Sequence, residues 1–186
     1  MKVQKTKAPT VSFDVLQKIP MFRGLSEAEA EHLTQIVGVA EFAPAKDVIE
    51  QGAQSQRLWV LLEGKCEVWH KLNGQPPKAA PVMLATLEPY SNFGEMSFFH
   101  PAPHSASVRA KTSVKLLYIE RANYDRLLAE QPGCCSKLAI NTVASLADRL
   151  RRMDEWVDEL VSKSAASQRV PEWNRLRATL FDGWTL

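Results

Sequence analysis

The stretch Phe93-Gly94-Glu95-Met96-Ser97-Phe98-Phe99-His100-Pro101-Ala102-Pro103-His104-Ser105-Ala106-Ser107-Val108-Arg109-Ala110 decides how this chain is read. Gly94 allows the backbone a close approach that a side chain would block. The residues after Glu95 are expected to open a short helical turn whose free amides can face an anion. Glu95 supplies a carboxylate, Ser97 and Ser105 supply hydroxyls, and His104 follows a proline. Val108-Arg109-Ala110 then returns the chain to an alternating, strand-like pattern.

Outward from this stretch, the chain divides by period. Residues 1–12 carry Lys2, Lys5 and Lys7 without apolar periodicity and read as a tail. Between Phe13 and Gly38 two short helices are expected, the second opened by the capping box Ser26-Glu27-Ala28-Glu29, with Leu33, Ile36 and Val37 as its apolar face. From Val39 to Ile119 short β-rich runs alternate with Gly, Pro, Asn and Ser: Val39–Phe42, Asp47–Gln51, Leu58–Glu63, Cys66–Lys71, Val82–Leu87, Ser107–Ala110 and Val114–Ile119. Such spacing suits an antiparallel roll or jelly roll. In Leu58-Trp59-Val60-Leu61-Leu62 both alternating faces are apolar, which predicts a strand buried on both sides. Gly52 and Gly64 stand at strand ends, where positive φ is useful. Asn73 to Lys78 reads as a surface loop.

After Glu120 the helical period takes over. Tyr124, Leu127 and Leu128 mark a short helix that Pro132-Gly133 ends. A long helix is expected from about Cys134 to Val161. Ala139, Val143, Leu146, Leu150, Met153, Val157 and Leu160 recur at alternating steps of four and three, a heptad seam that predicts a parallel helix pair across a homodimer. In that register Arg149 faces Asp154 of the second copy. Residues 162–186 form a polar linker and an aromatic segment with Trp173, Leu176, Leu180, Phe181 and Trp184. Packing on either protomer accounts for that segment, and so does recognition of an unidentified protein partner.

The cassette from Phe93 to Ala110 resembles the phosphate-binding cassette of the cyclic-nucleotide-binding domain family, in which a pattern close to F-G-E-x-A-L followed by P-R-A-A-S/T-V-x-A holds the cyclic phosphate and ribose. The lead-in Leu16-Gln17-Lys18-Ile19-Pro20-Met21-Phe22-Arg23-Gly24-Leu25-Ser26 is similar to the helical entry of such domains, and Gly52 and Gly64 match its turns. The resemblance, to the sensor domain of the catabolite activator type, implies a mainly β domain over residues 13–161, flanked by helices. It also implies a ligand site of Gly94, Glu95, Met96, Ser97, His104 and Ser105, with cyclic AMP or cyclic GMP as ligand and no other cofactor or metal. Glu95 matches the carboxylate that accepts the ribose hydroxyl, and Ser105 a phosphate contact. His104 occupies the slot where the family places arginine. Histidine is shorter, donates at one point and is mostly neutral at pH 7. Loss of one charged hydrogen bond of ~1.5 to 3 kcal/mol weakens binding by about 10- to 150-fold, unless a bound phosphate keeps His104 protonated. The long-helix positions expected to meet the base are Arg149 and Leu150, or Met153 and Asp154. Neither pair offers a hydroxyl, so adenine is not distinguished from guanine.

Composition narrows the remaining classes. The chain has 186 residues, 45% hydrophobic and 24% charged, as an ordinary globular domain does. Its 23 basic and 21 acidic residues balance to +2, which does not announce a nucleic-acid or membrane partner. No apolar run approaches the length of a membrane span and no secretory signal is visible, so a cytoplasmic protein is expected. Cys66, Cys134 and Cys135 read as reduced thiols. The stretch after residue 161 is shorter than a small DNA-binding module, and no internal repeat is visible. Neither a Ser/His/Asp nor a Cys/His set is recognisable, so the chain is read as a non-enzyme. Two functions stay open: a dimeric cyclic-nucleotide sensor, and a degenerate fold that serves as a dimerisation or docking module.

Overall fold

The computed structural model describes residues 11–72 and 80–164. Residues 1–10 of the expected 1–12 tail, the loop Asn73 to Lys78, and all of the expected 162–186 linker and aromatic segment from 165 onward lie outside the described residues. Two short helices come first, α1 (Phe13–Gln17) and α2 (Glu27–Ile36), with a 3₁₀ turn at Pro20–Phe22 between them. Ser26 caps α2 as its sequence predicts: its Oγ accepts from the Glu29 amide at 3.3 Å, and its own amide donates to Glu29 Oε2 at 2.7 Å.

Eight strands follow: β1 (Val37–Phe42), β2 (Asp47–Ile49), β3 (Arg57–Glu63), β4 (Cys66–His70), β5 (Val82–Leu87), β6 (Asn92–Phe93), β7 (Ser107–Ala110) and β8 (Val114–Glu120). They form two antiparallel four-stranded sheets, ordered β1-β8-β3-β6 and β2-β7-β4-β5, the jelly-roll arrangement. The strands agree with the sequence reading to within one residue at each end, except at β1, β2 and β6. Strand β1 starts at Val37 because α2 runs into it without a loop, so Val37 belongs to the strand and not to the helical face. Strand β2 stops at Ile49, after a register shift against β7. Strand β6 was not expected at all, since two residues are too few to show a period.

Strand β3 explains the layering. Leu58 and Val60 join a core with Leu16, Phe22, Leu33 and Leu138 from the helices. Trp59 and Leu61 point the other way, into a second core between the sheets with Phe93, Val108 and Leu116. A period of two therefore feeds two cores from one strand. Gly64 turns the chain from β3 to β4 at φ +85°, and a side chain there would collide with the Ser113 carbonyl.

Three helices complete the fold: α3 (Glu95–Phe99), α4 (Arg121–Glu130) and α5 (Pro132–Ser164). Helix α5 begins two residues earlier than expected. Pro132 is tolerated in its first turn, where an amide hydrogen has no partner within the helix. Early in α5, Cys134, Cys135, Leu138 and Thr142 are buried. Lys137 reaches Glu29 at 2.7 Å, and Asn141 Nδ2 donates to the Met21 and Arg23 carbonyls at 3.1 and 2.8 Å. The chain falls into two compact units, divided within α5 between Thr142 and Val143. In the second unit Val143, Leu150 and Met153 are at least half exposed, Leu146 and Val157 partly buried, and the side chain of Leu160 lies outside the described residues. Trp156, exposed beside the seam, was not part of the heptad reading. No described helix is long and apolar enough to cross a membrane.

Candidate functional site

The cassette is assembled from β6, α3 and the segment that leads to β7. Gly94 caps α3 in the left-handed region, φ +81°, and a Cβ there would sit 2.7 Å from the Arg57 carbonyl oxygen of β3. Only glycine lets the cassette lie this close to the sheet. The five-residue helix α3 then sorts its side chains. Glu95, Ser97 and Phe98 are buried, whereas Met96 points out and is exposed. Phe98 packs edge-on against Phe99 and Tyr124, and Arg121 of α4 donates to the Phe98 carbonyl at 2.9 Å. The helix is thus held from behind.

After the exposed Pro101-Ala102-Pro103, the backbone of His104 is clamped to the turn between β2 and β3. Its amide donates to the Ala53 carbonyl at 3.0 Å, and its carbonyl accepts from the Gly52 amide at 2.8 Å. The residue is only 6% exposed. Its Nε2 lies 2.7 Å from Ser55 Oγ, and its Nδ1 lies 3.1 Å from Ser97 Oγ. Burial pushes the His104 pKa below the ordinary histidine value, because an imidazolium is costly away from water. A neutral ring has one donor and one acceptor, and two serine hydroxyls satisfy both. The residue in the arginine slot is therefore engaged with the protein itself.

The other cassette groups are placed as follows. Ser105 is exposed, and its carbonyl accepts from His70 Nδ1 at 2.8 Å. Ser107 Oγ accepts from the Gln51 amide at 2.9 Å, which ties the end of the cassette to the turn after β2. Arg109 does not replace the missing arginine. It faces Asp47 across β2 and β7 with two bonds of 2.7 and 3.2 Å, and this pairing raises its pKa. Between the β2–β3 turn and the cassette's Pro101-Ala102-Pro103, a cleft of about 400 Å³ is lined by Gln54, Ser55, Gln56 and these three residues.

The structure thus brings Ser97 and His104 together and keeps Met96 and Ser105 on the outside. Ser55 was missed by sequence reasoning, since it lies 49 positions from His104 on another turn. Ser97 did leave a signal. It stands where the cassette pattern has alanine, and His104 where it has arginine, so the two departures from the pattern touch each other.

Comparisons with known proteins agree with this architecture. A cyclic AMP receptor protein from Thermus thermophilus is 31% identical over 151 residues, 81% of this chain and 66% of that protein. A CRP-like cAMP-activated global transcriptional regulator from Mycobacterium tuberculosis is 25% identical over 148 residues, 80% of this chain and 62% of that one. The chain spans less than two thirds of the length of these relatives. The crystal structure of a cyclic nucleotide-binding domain from Methylobacillus flagellatus superposes with a TM-score of 0.68, at 23% identity, over 81% of this chain and 80% of that one. With the profile of the cyclic nucleotide-binding domain matching residues 39–131, this chain belongs to the cyclic nucleotide-binding domain family.

Proposed function

We propose that this chain is a non-catalytic, homodimeric regulatory module of that family whose cassette is latched at neutral pH and takes cyclic AMP or cyclic GMP only weakly. The observation that carries this reading is the buried His104 ring between Ser55 and Ser97. Arginine in that slot would offer a permanently charged planar fork to a ring phosphate. Here the ring is neutral and both of its nitrogens are engaged. An incoming phosphate must break these contacts or do without a cation at this point. Gly94 and Glu95 keep their positions in the cassette, which supports a residual site of the family type. Pairing through α5 is supported by the exposed Val143, Leu150 and Met153, three apolar side chains on one heptad seam. Cys66, Cys134 and Cys135 are free and buried, in keeping with a reducing cytoplasm.

Calorimetry with cyclic AMP and cyclic GMP at pH 7.5 and pH 6 tests the reading. Weak heat at pH 7.5 is expected, growing as pH falls from 6.5 towards the lowered value of His104, because protonation makes it a cation. A submicromolar constant at pH 7.5 would overturn the latch. Absence of heat at millimolar ligand at both pH values would leave the second function, a dimerisation module without nucleotide.

A further inference from the structure

The contacts that close the arginine slot also build an arrangement with a chemistry of its own. Ser55 is exposed on the wall of the 400 Å³ cleft, and behind it stands a buried imidazole 2.7 Å from its oxygen. The far nitrogen of that ring is held by Ser97 Oγ at 3.1 Å. A hydroxyl, a base within hydrogen-bond reach and a third group that orients the base are the parts of an activated nucleophile. We infer that Ser55 is a nucleophile activated by His104, and that it accepts acyl or phosphonyl groups from activated esters entering this cleft. The inference goes beyond the regulatory reading and concerns a covalent modification of the module, not turnover.

The geometry assigns the parts. In the tautomer with the proton on Nδ1, that N–H donates to Ser97 Oγ and Nε2 accepts from Ser55; this is the tautomer that activation of Ser55 requires. The ring is held at both nitrogens by the two hydroxyls, and its backbone is clamped to Ala53 and Gly52. Burial keeps the imidazole in its neutral, basic form below the pH at which an exposed histidine would protonate. Gln54 and Gln56 line the same cleft, and side-chain amides are donors of the kind that stabilise a developing oxyanion. In the reaction with an ester, Ser55 Oγ bonds to the carbonyl carbon, its proton passes to His104 Nε2, and the bond to the alkoxide or phenolate leaving group breaks. With a fluorophosphonate, Oγ bonds to phosphorus, the P–F bond breaks, fluoride leaves, and the proton again passes to His104. The titratable side chains on the elements that meet His104 are Glu50 ahead of the turn, Glu95 on α3, His100 after it and His70 on β4. Burial, not these charges, is what lowers His104.

The test treats the full chain with an alkyl fluorophosphonate and maps the label by intact and peptide mass spectrometry. One label per chain is expected, on Ser55, absent in Ser55→Ala and formed at least about tenfold more slowly in His104→Gln. Ser97→Ala should slow labelling and Ser97→Thr should restore it, which a purely structural role of Ser97 would not produce. The rate should fall only below pH 6.5, where His104 finally takes a proton. Circular dichroism checks that each variant is folded. If His104→Gln unfolds, the Ser97 pair decides instead. A label on other residues, a rate unchanged in the folded variants, or labelling no faster than in denatured protein overturns the inference.

Discussion

Replacing His104 by arginine should move stability and ligand affinity in opposite directions. The native ring is buried and makes contacts of 2.7 and 3.1 Å with Ser55 and Ser97. A guanidinium has no acceptor capacity, is permanently charged and is too long for that space, so it must leave the slot. Two neutral hydrogen bonds are then lost, each contributing about 0.5 to 1.5 kcal/mol, which together cost about 1 to 3 kcal/mol of stability. The departing fork is then available to a cyclic phosphate. One charged hydrogen bond of about 1.5 to 3 kcal/mol raises affinity by at least about tenfold. Urea denaturation measures the first quantity and calorimetry with cyclic AMP the second. The reasoning fails if His104→Arg is as stable as the parent and its affinity is unchanged, because the ring would then be neither a latch nor the residue that limits binding.

Light scattering at micromolar concentration should report a dimer, and Leu150→Asp combined with Met153→Asp should yield a monomer with unchanged circular dichroism, since both side chains are exposed within one chain. Acid should destabilise the protein through His104. Its folded pKa lies below the ordinary 6.5, so the unfolded chain binds the proton first, and stability present above pH 6.5 is lost as pH falls towards the folded value. Denaturation midpoints between pH 7.5 and 5 should show this slope, and His104→Gln should flatten it. Burial raises Cys66, Cys134 and Cys135 to pKa values of about 11, so a disulfide reagent at pH 8 should find no fast thiol in the native protein and all three after denaturation.

The features legible in the sequence were those set by local rules. The capping box at Ser26, the two-faced strand at Leu58 to Leu61, the left-handed glycines 52 and 64 and the close backbone approach at Gly94 each follow from a residue and its near neighbours. Strand β6 was invisible because its pairing with β3 comes from tertiary position, not pattern. The arginine-slot histidine was found by reading, but its surroundings were not. Ser55 and His104 meet only because the β2–β3 turn folds over the cassette, and no spacing rule relates positions so far apart. Sequence reasoning expected an imidazole turned towards a ligand. The structure supplies two hydroxyls that turn it inward.

The sheet order has a consequence for synthesis on the ribosome. Strand β8 is hydrogen-bonded to both β1 and β3, and β7 to both β2 and β4, so in each sheet one of the two interior strands is among the last made. Until Glu120 has emerged, β1 and β3 have open edges and the apolar side chains of β3 have no complete core to enter. Such long-range pairing folds slowly and leaves sticky edges exposed while the chain grows. The nascent chain should therefore engage chaperones until β8 inserts, and a stalled chain ending before Val114 should be protease-sensitive where the full chain is not.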